Sequence, residues 1–307
     1  MGLGRLVAVL LAGGEGKITG LYRHAVKGLS ADSLDRVKIQ TPGETFPDDR
    51  RFALLLAENS DKFDTNQPKW LHKSNFLCAF SDPKLLSTFE TSFRIVGFDN
   101  LESQSWASPC DQASDGPVLQ RLLTVRDRKT QQRLLGPVDL ETDAGRQDLE
   151  RFFGEASGKN IVCVACPNAP AQQHQFGNTS SGVKAAKGDT RTLHLINEAT
   201  VRELSETAGV RLNPTRFRPN IVLDGLEPWQ EFDLVGKKIQ CGSLRLAVLT
   251  RTIRCDGVSV DPLDPGTTID IPNLLTTHYP HHGPYLGVYA RVEQAGEVQI
   301  GDSVTLL

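Results

Sequence analysis

Short strand-type segments separated by turn residues recur along this 307-residue chain, and only two stretches carry a clear helical period. Leu244-Arg245-Leu246-Ala247-Val248 alternates as a half-buried strand does. Ile18-Thr19-Gly20-Leu21-Tyr22 and Arg51-Phe52-Ala53-Leu54-Leu55-Leu56 read as further strands. Val298 and Ile300, then Val304 and Leu306, flank Gly301-Asp302 and predict a hairpin. In one helical stretch Leu149, Phe152, Phe153 and Ala156 fall on one face, with Asp143 as the start and Gly158 as the stop. In the other, Asn197 is a good N-cap, Val201, Leu204 and Ala208 point inward, and Gly209 ends the helix. This pattern predicts a mainly β fold with some helices (α+β), barrel-like in architecture. At roughly 150 residues per domain, two domains are expected. The division is a leader (1–16), an N-terminal β-barrel domain (17–135) and a C-terminal β-barrel domain (136–307), with a polar loop over 167–188.

Charge narrows the function. Lys plus Arg number 34 and Asp plus Glu 37, a net charge of −3, so a general nucleic-acid binder is excluded and any positive site must be local. The apolar run Leu6-Val7-Ala8-Val9-Leu10-Leu11-Ala12 is far shorter than the roughly 20 residues a membrane span needs. It reads as a first strand or a minimal signal peptide, and the chain as soluble. Six cysteines without framework spacing indicate a reducing compartment. Cys163 and Cys166 form a CxxC on a β-branched run, where positions i and i+3 face opposite sides, so both read as core thiols.

Several motifs carry possible chemistry. Ala12-Gly13-Gly14-Glu15-Gly16-Lys17 lacks the hydroxyl residue and the first Gly of a phosphate loop, and reads as a flexible leader. His278, His281 and His282 are interrupted by Pro280 and Pro284 and read as a surface loop. Cys255 stands where a strongly alternating strand ends, with Arg251 and Arg254 able to favour its thiolate; a partly buried structural thiol is the alternative. In Arg216-Phe217-Arg218-Pro219-Asn220, Arg218 and Asn220 share one side and can hold a phosphate or a polar ring edge, or a carboxylate in a salt bridge. Two more basic spots lie upstream: Lys27 and Gly28 end Tyr22-Arg23-His24-Ala25-Val26-Lys27-Gly28, and Arg50 and Arg51 sit in Phe46-Pro47-Asp48-Asp49-Arg50-Arg51-Phe52.

In order, these segments resemble the MOSC family, named for the C-terminal domain of molybdenum cofactor sulfurases, and within it the two-domain amidoxime-reducing members. The resemblance rests on Tyr22 to Lys27, Asp49-Arg50-Arg51-Phe52, Asp189-Thr190, Arg216 to Asn220, Arg254-Cys255 with Val260-Asp261-Pro262, Tyr285-Leu286-Gly287-Val288-Tyr289, and Gly296 to Asp302. It implies an N-terminal MOSC-associated β-barrel before a MOSC β-barrel. It further implies Cys255 as catalytic residue and metal ligand of Mo-molybdopterin, with Lys27, Gly28, Arg50, Arg218, Asn220 and Arg254 around that cofactor. Thr190, Arg191, Ile253 and Tyr289 match further cofactor-lining positions. Gly28 stands where close relatives often have Ser, and 66–76 diverges from the family's usual loop. No cysteine-desulfurase-like segment precedes these motifs, so a full cofactor sulfurase is not expected.

The function the resemblance implies is a molybdenum-dependent oxidoreductase that removes oxygen from small N-hydroxylated substrates such as amidoximes and hydroxylamines. The alternative is a sulfur carrier or cofactor-binding protein without reductase activity. The remaining cysteines are too scattered for iron–sulfur ligation. A separate electron donor is therefore expected, and the resemblance implies cytochrome b5 with its flavoprotein reductase, or a ferredoxin. The expected location is cytoplasmic, with mitochondrial association as the alternative.

Overall fold

A computed structural model of the chain describes residues 16–64, 69–97, 119–166, 184, 191–264 and 266–307. The first half carries β1 (Gly16–Arg23), β2 (Asp32–Leu34), β3 (Arg36–Ile39), β4 (Phe52–Leu56), β5 (Phe76–Leu77), β6 (Phe89–Val96), β7 (Gln120–Asp127) and β8 (Arg133–Asp139). A short helix, α1 (Pro83–Ser87), precedes β6. Helix α2 (Asp143–Ser157) and β9 (Ile161–Ala165) follow. The second half runs β10 (Leu193–Asn197), α3 (Glu198–Ala208), β11 (Ile221–Asp224), β12 (Lys238–Cys241) and β13 (Leu244–Ile253). It ends with α4 (Ile271–His278), β14 (Tyr285–Gln294), β15 (Gly296–Gln299) and β16 (Ser303–Leu306).

Seven strands close a barrel in the order β1-β11-β10-β14-β13-β12-β16, with β16 pairing back to β1. Only β10 and β11 run parallel in it, joined by the crossover helix α3. Its interior is filled by residues such as Leu195, Ile221, Leu246 and Val288, all wholly buried. A second core lies beside it, where the β6-β7-β8 sheet, the β5-β4-β9 sheet and α2 meet through Phe52, Leu54, Phe93, Leu123, Leu149, Phe153 and Cys163.

The mainly β, barrel-containing architecture is the one the sequence pattern predicts. The cores do not divide where the sequence-order split at 135/136 would place them. Strands β1 to β3 attach to the barrel side, β3 by pairing with β15. Helix α2 and β9 lie past that point yet bury Leu149, Phe153, Ile161 and Cys163 in the same cluster as Phe52. The hairpin expected around Gly301 is also absent as a pairing: β15 pairs with β3, while β16 pairs with β12 and β1. Gly301 (φ 92) turns the chain from one sheet into the other, and its N–H donates to the Ile18 carbonyl at 2.8 Å.

Both predicted helices form. Thr142, not Asp143, caps α2, its hydroxyl accepting from Gly145 N at 3.0 Å, and Gly158 ends it in the left-handed conformation. Asn197 caps α3 and Gly209 stops it, as read from the sequence. Helix α4 was not legible: Asp270 caps it, Pro272 opens it, and His278 sits in its last turn. The Ala12–Lys17 motif lies mostly outside the described residues; Gly16 and Lys17 begin β1.

Candidate functional site

A cavity of about 320 Å³ opens where the two cores meet. Lys27, Gly28, Arg50 and Cys78 reach it from one side, and His194, Arg218, Arg254, Cys255 and Tyr289 from the barrel side. Each is placed by a local device. Lys27 follows an isolated parallel bridge between Val26 and Phe52, and its N–H donates to the Phe52 carbonyl at 2.8 Å. Gly28 (φ 88) packs directly on the Cys78 turn, where a Cβ would stand 2.6 Å from Cys78 Cα. Any side chain there would collide with backbone, which is why Gly occupies this position.

Arg50 and Arg218 both adopt left-handed backbone, φ 52 and 54, a conformation that costs a non-glycine residue about 1 kcal/mol or more. Both are fixed by their surroundings. Arg50 N donates to the His24 carbonyl at 2.8 Å, its Nη1 pairs with Asp49, and its Nη2 donates to the Arg218 carbonyl at 3.2 Å. The preceding turn is braced from below, with Asp48 bonded to Arg121 at 2.9 Å and to Arg51 at 3.2 Å. Arg218 closes the 3-10 turn Pro214–Phe217, and its Nη1 donates to the Leu29 carbonyl at 2.8 Å. Arg254 N donates to the Pro284 carbonyl at 2.7 Å, and its Nη2 to the Phe217 carbonyl at 2.9 Å. Cys255 is extended (φ −139, ψ 171), two residues past the end of β13, and partly exposed.

The electrostatics are those of an anion site. Burial pushes the Lys27 ammonium down to about 8, with Arg50, Arg218 and Lys73 acting the same way and the Cys78 thiol opposing them. Burial, then Arg50, pushes Arg218 down to about 10. Burial also lowers Arg254. His24 and His194 are held well below the ordinary imidazole value, first by burial and then by Arg218 and Arg254 respectively, so both are neutral at pH 7. Among the described residues, Arg218 Nη2 and Arg254 Nε are buried with no hydrogen-bond partner. Buried guanidinium donors left without acceptors are costly, and an anionic ligand would supply the missing acceptors. No Asp or Glu lines the cavity among the described residues.

The structure brings together Lys27, Gly28, Arg50, Arg218, Ile253, Arg254, Cys255 and Tyr289. Asn220 is wholly buried behind them as a brace: its side-chain oxygen accepts from His194 N at 3.1 Å and Arg50 Nη1 at 3.4 Å. The expected strand geometry for Arg218 and Asn220 does not hold, because Arg218 is left-handed and β11 begins only at Ile221. Arg191 does not line the cavity; it is buried near Glu44, Asp49 and Asp48, and its N–H donates to the Gly43 carbonyl at 3.0 Å. Arg251 lies over the Phe232 ring at 4.3 Å rather than at Cys255. Thr190 lies outside the described residues. Cys163 is buried, its thiol pushed up to about 12, and Cys166 is wholly buried, as core thiols should be.

Sequence reasoning missed His194, Cys78 and the aromatic segment 69–80. His194 sits on β10, its ring 5.3 Å from that of Tyr289 and its Nδ1 3.3 Å from the Arg218 carbonyl. A polar residue inside the buried run Leu193–Asn197 was the available signal. Among the described residues, no three His, Cys, Asp or Glu side chains converge on a possible metal position.

The geometry thus defines a mainly β protein with a closed C-terminal barrel and a thiol-bearing cationic cavity at its edge, and residues 172–305 match the MOSC domain family. That match lies in the C-terminal part of the chain. Strand β1, which completes the barrel, lies outside the matched range. Among curated proteins, the chain is similar to the mitochondrial amidoxime reducing component 2 of Rattus norvegicus, at 29% identity over 133 residues, covering 39% of this chain and 38% of that protein. It is also similar to the protein of that name from Bos taurus, at 25% identity over 148 residues, covering 44% and 43%. The matches thus span less than half the length of these relatives. Among solved structures, the YuaD protein from Bacillus subtilis aligns with a TM-score of 0.39 and 12% identity, over 94% of both chains. No described helix is long and apolar enough to cross a membrane.

Proposed function

We propose that the cavity binds Mo-molybdopterin with Cys255 as the metal's protein ligand, and that the protein reduces N-hydroxylated compounds. One observation carries this reading: the partly exposed Cys255 thiol opens into a preformed cavity ringed by Lys27, Arg50, Arg218 and Arg254, two of whose guanidinium nitrogens have no partner among the described residues. These residues fit the cofactor, which brings a phosphate for the cations and soft sulfur ligands alongside the cysteine thiolate. When bound, the cofactor supplies two-electron oxygen-atom chemistry at molybdenum.

The chain's own residues do the rest. Arg50, Arg218 and Arg254 hold the anion through directional N–H bonds, and their backbone ties fix where it sits. Asn220 keeps Arg50 and the β10 backbone in register. Neutral His194 backs Arg254, with Nε2 and Arg254 Nη1 3.5 Å apart, and adds no charge at pH 7. Burial pushes Lys27 down to about 8, which brings it within reach of proton exchange near neutrality. A sulfur carrier would present its cysteine to a partner surface, whereas Cys255 opens into a preformed cationic pocket, which favours the ligand role. Electrons then come from a separate carrier, a cytochrome b5 with its reductase or a ferredoxin. The test is amidine formation from benzamidoxime with reduced viologen. Activity is expected in the wild type and absent in Cys255→Ala, while Cys163→Ala retains it; full activity in Cys255→Ala would overturn the proposal.

A further inference from the structure

Arg50 reaches the cavity from a strained turn. Asp48 (φ 59) and Arg50 (φ 52) are both left-handed without being glycine, and two such residues within three positions persist only where the surroundings over-determine them. Beneath this turn four side chains close a ring of ion pairs. Asp48 Oδ2 lies 2.9 Å from Arg121 Nε, and Asp48 Oδ1 lies 3.2 Å from Arg51 Nη1. Glu141 Oε1 completes the ring, 2.9 Å from Arg51 Nη2 and 3.3 Å from Arg121 Nη1. Asp48 and Arg121 are buried, and Glu141 is partly exposed. The far side of the ring is anchored in the second core. Arg121 is on β7, its N–H donates to Asp139 Oδ1 at 3.0 Å, and its carbonyl accepts from Leu140 N at 2.9 Å, which ties β7 to the link that carries Glu141. On the near side Asp49 accepts from His24 N at 2.8 Å and pairs with Arg50. None of the four ring side chains is among the described residues that line the cavity. Two carboxylates and two guanidiniums cancel, so the ring as a whole brings the cavity no net charge.

We infer that Arg121 and Glu141 are positioning residues for the anion site: through Asp48 and Arg51 they hold the turn that aims Arg50 into the cavity. The inference deepens the proposed function, since it rests on the reading of the cavity as an anion site. A buried ion-pair ring contributes little net stability, because desolvation offsets most of its Coulomb attraction. What it does supply is geometry. The planar fork of Arg121 meets Asp48 through Nε and Glu141 through Nη1, a bridge that the single ammonium of a lysine cannot make. Charge and position then predict opposite signs for the same change. Removing a carboxylate near an anion site takes away repulsion and, by charge alone, tightens anion binding. If the carboxylate instead holds Arg50 in place, removing it weakens anion binding.

The test compares the wild type with Glu141→Gln, Asp48→Asn and the charge-conserving Arg121→Lys, all stripped of cofactor. Calorimetry with inorganic phosphate reads the anion affinity, and hydrogen exchange over residues 46–52 reads the hold on the turn. Phosphate should bind about tenfold more weakly to Asp48→Asn, and about threefold more weakly to Glu141→Gln and Arg121→Lys. Exchange over 46–52 should quicken about tenfold in all three, with exchange in α3 unchanged. Asp48 is fully buried, so its variant is the one most exposed to misfolding; the partly exposed, near-isosteric Glu141→Gln decides the matter without it. Phosphate affinity in Glu141→Gln equal to or above that of the wild type would overturn the inference, whatever the variant does to stability. Undiminished affinity in Arg121→Lys would overturn it too, since the charge alone would then suffice. Wild-type protein that binds no phosphate, with the turn loosening in the variants as expected, would instead refute the anion-site reading and leave the hold on Arg50 standing.

Discussion

Replacing Lys27 by Met should stabilise the cofactor-free protein and weaken its hold on anions. Lys27 falls from 10.5 in a free chain to about 8 in the folded protein, chiefly through burial. At about 1.4 kcal/mol per pH unit, holding it protonated in the folded state costs about 3 kcal/mol. Part of this is screened, because the side chain is only half-buried, and Met also loses the contacts Lys27 makes. A net gain of about 1 to 2 kcal/mol at pH 7 is expected. The sign follows from proton counting. Between pH 8 and 10.5 the unfolded chain binds more protons than the folded one, so wild-type stability rises with pH across that window. Below pH 8 the full penalty is present; above 10.5 it has gone. The Met variant's advantage should therefore be largest at pH 7 and shrink by more than half at pH 10. Urea denaturation of both proteins, stripped of cofactor, at the two pH values measures this, and calorimetry with inorganic phosphate at pH 7 measures the accompanying loss of anion affinity. A Met variant less stable at pH 7, or an advantage that does not change with pH, would refute the electrostatic reasoning.

Three further outcomes follow from single positions. Gly28→Ala should lose about 3 kcal/mol in urea denaturation, because the added Cβ meets Cys78 Cα at 2.6 Å on a backbone with φ 88. Glu231 is wholly buried, and burial pushes its carboxyl from 4.5 up to about 7. The folded state then keeps a proton that the unfolded chain releases, so stability from this group falls as pH rises from 4.5 to about 7 and stays lost above. Glu231→Gln should accordingly gain up to about 3 kcal/mol at pH 8 and little at pH 4.5, read from denaturation midpoints. With an amidoxime, the protein should turn over with reduced viologen and not with NADH alone; steady turnover on NADH without an added carrier would mean a nucleotide site inside this chain.

What the sequence revealed depended on whether the signal was local. Helix α3 was legible because Asn197 and Gly209 encode its two ends within the segment itself. The Gly301 hairpin was misread because a turn flanked by apolar alternation does not say which strand each arm will meet; β15 finds β3, far back in the sequence. Arg254 and Cys255 were legible through a strand end with a distinctive motif. Arg218 was singled out for the right charge but the wrong geometry, since a left-handed non-glycine residue leaves no mark in composition or period. His194, Cys78 and the Trp70 wall stayed hidden because they meet Cys255 only in three dimensions. Asn220 shows the converse: a polar residue adjacent to a basic motif, read as a ligand contact, is a buried brace.

The measurement that bears most directly on the central claim is the molybdenum and pterin content of protein made in a host that synthesises the cofactor, compared among the wild type, Cys255→Ala and Arg218→Ala. The wild type should carry stoichiometric molybdenum and pterin. Cys255→Ala should remain folded and lose its molybdenum, and Arg218→Ala should lose pterin and metal together, because it removes an anion-holding guanidinium. Wild-type protein free of both, or a Cys255→Ala variant with undiminished molybdenum, would contradict the account.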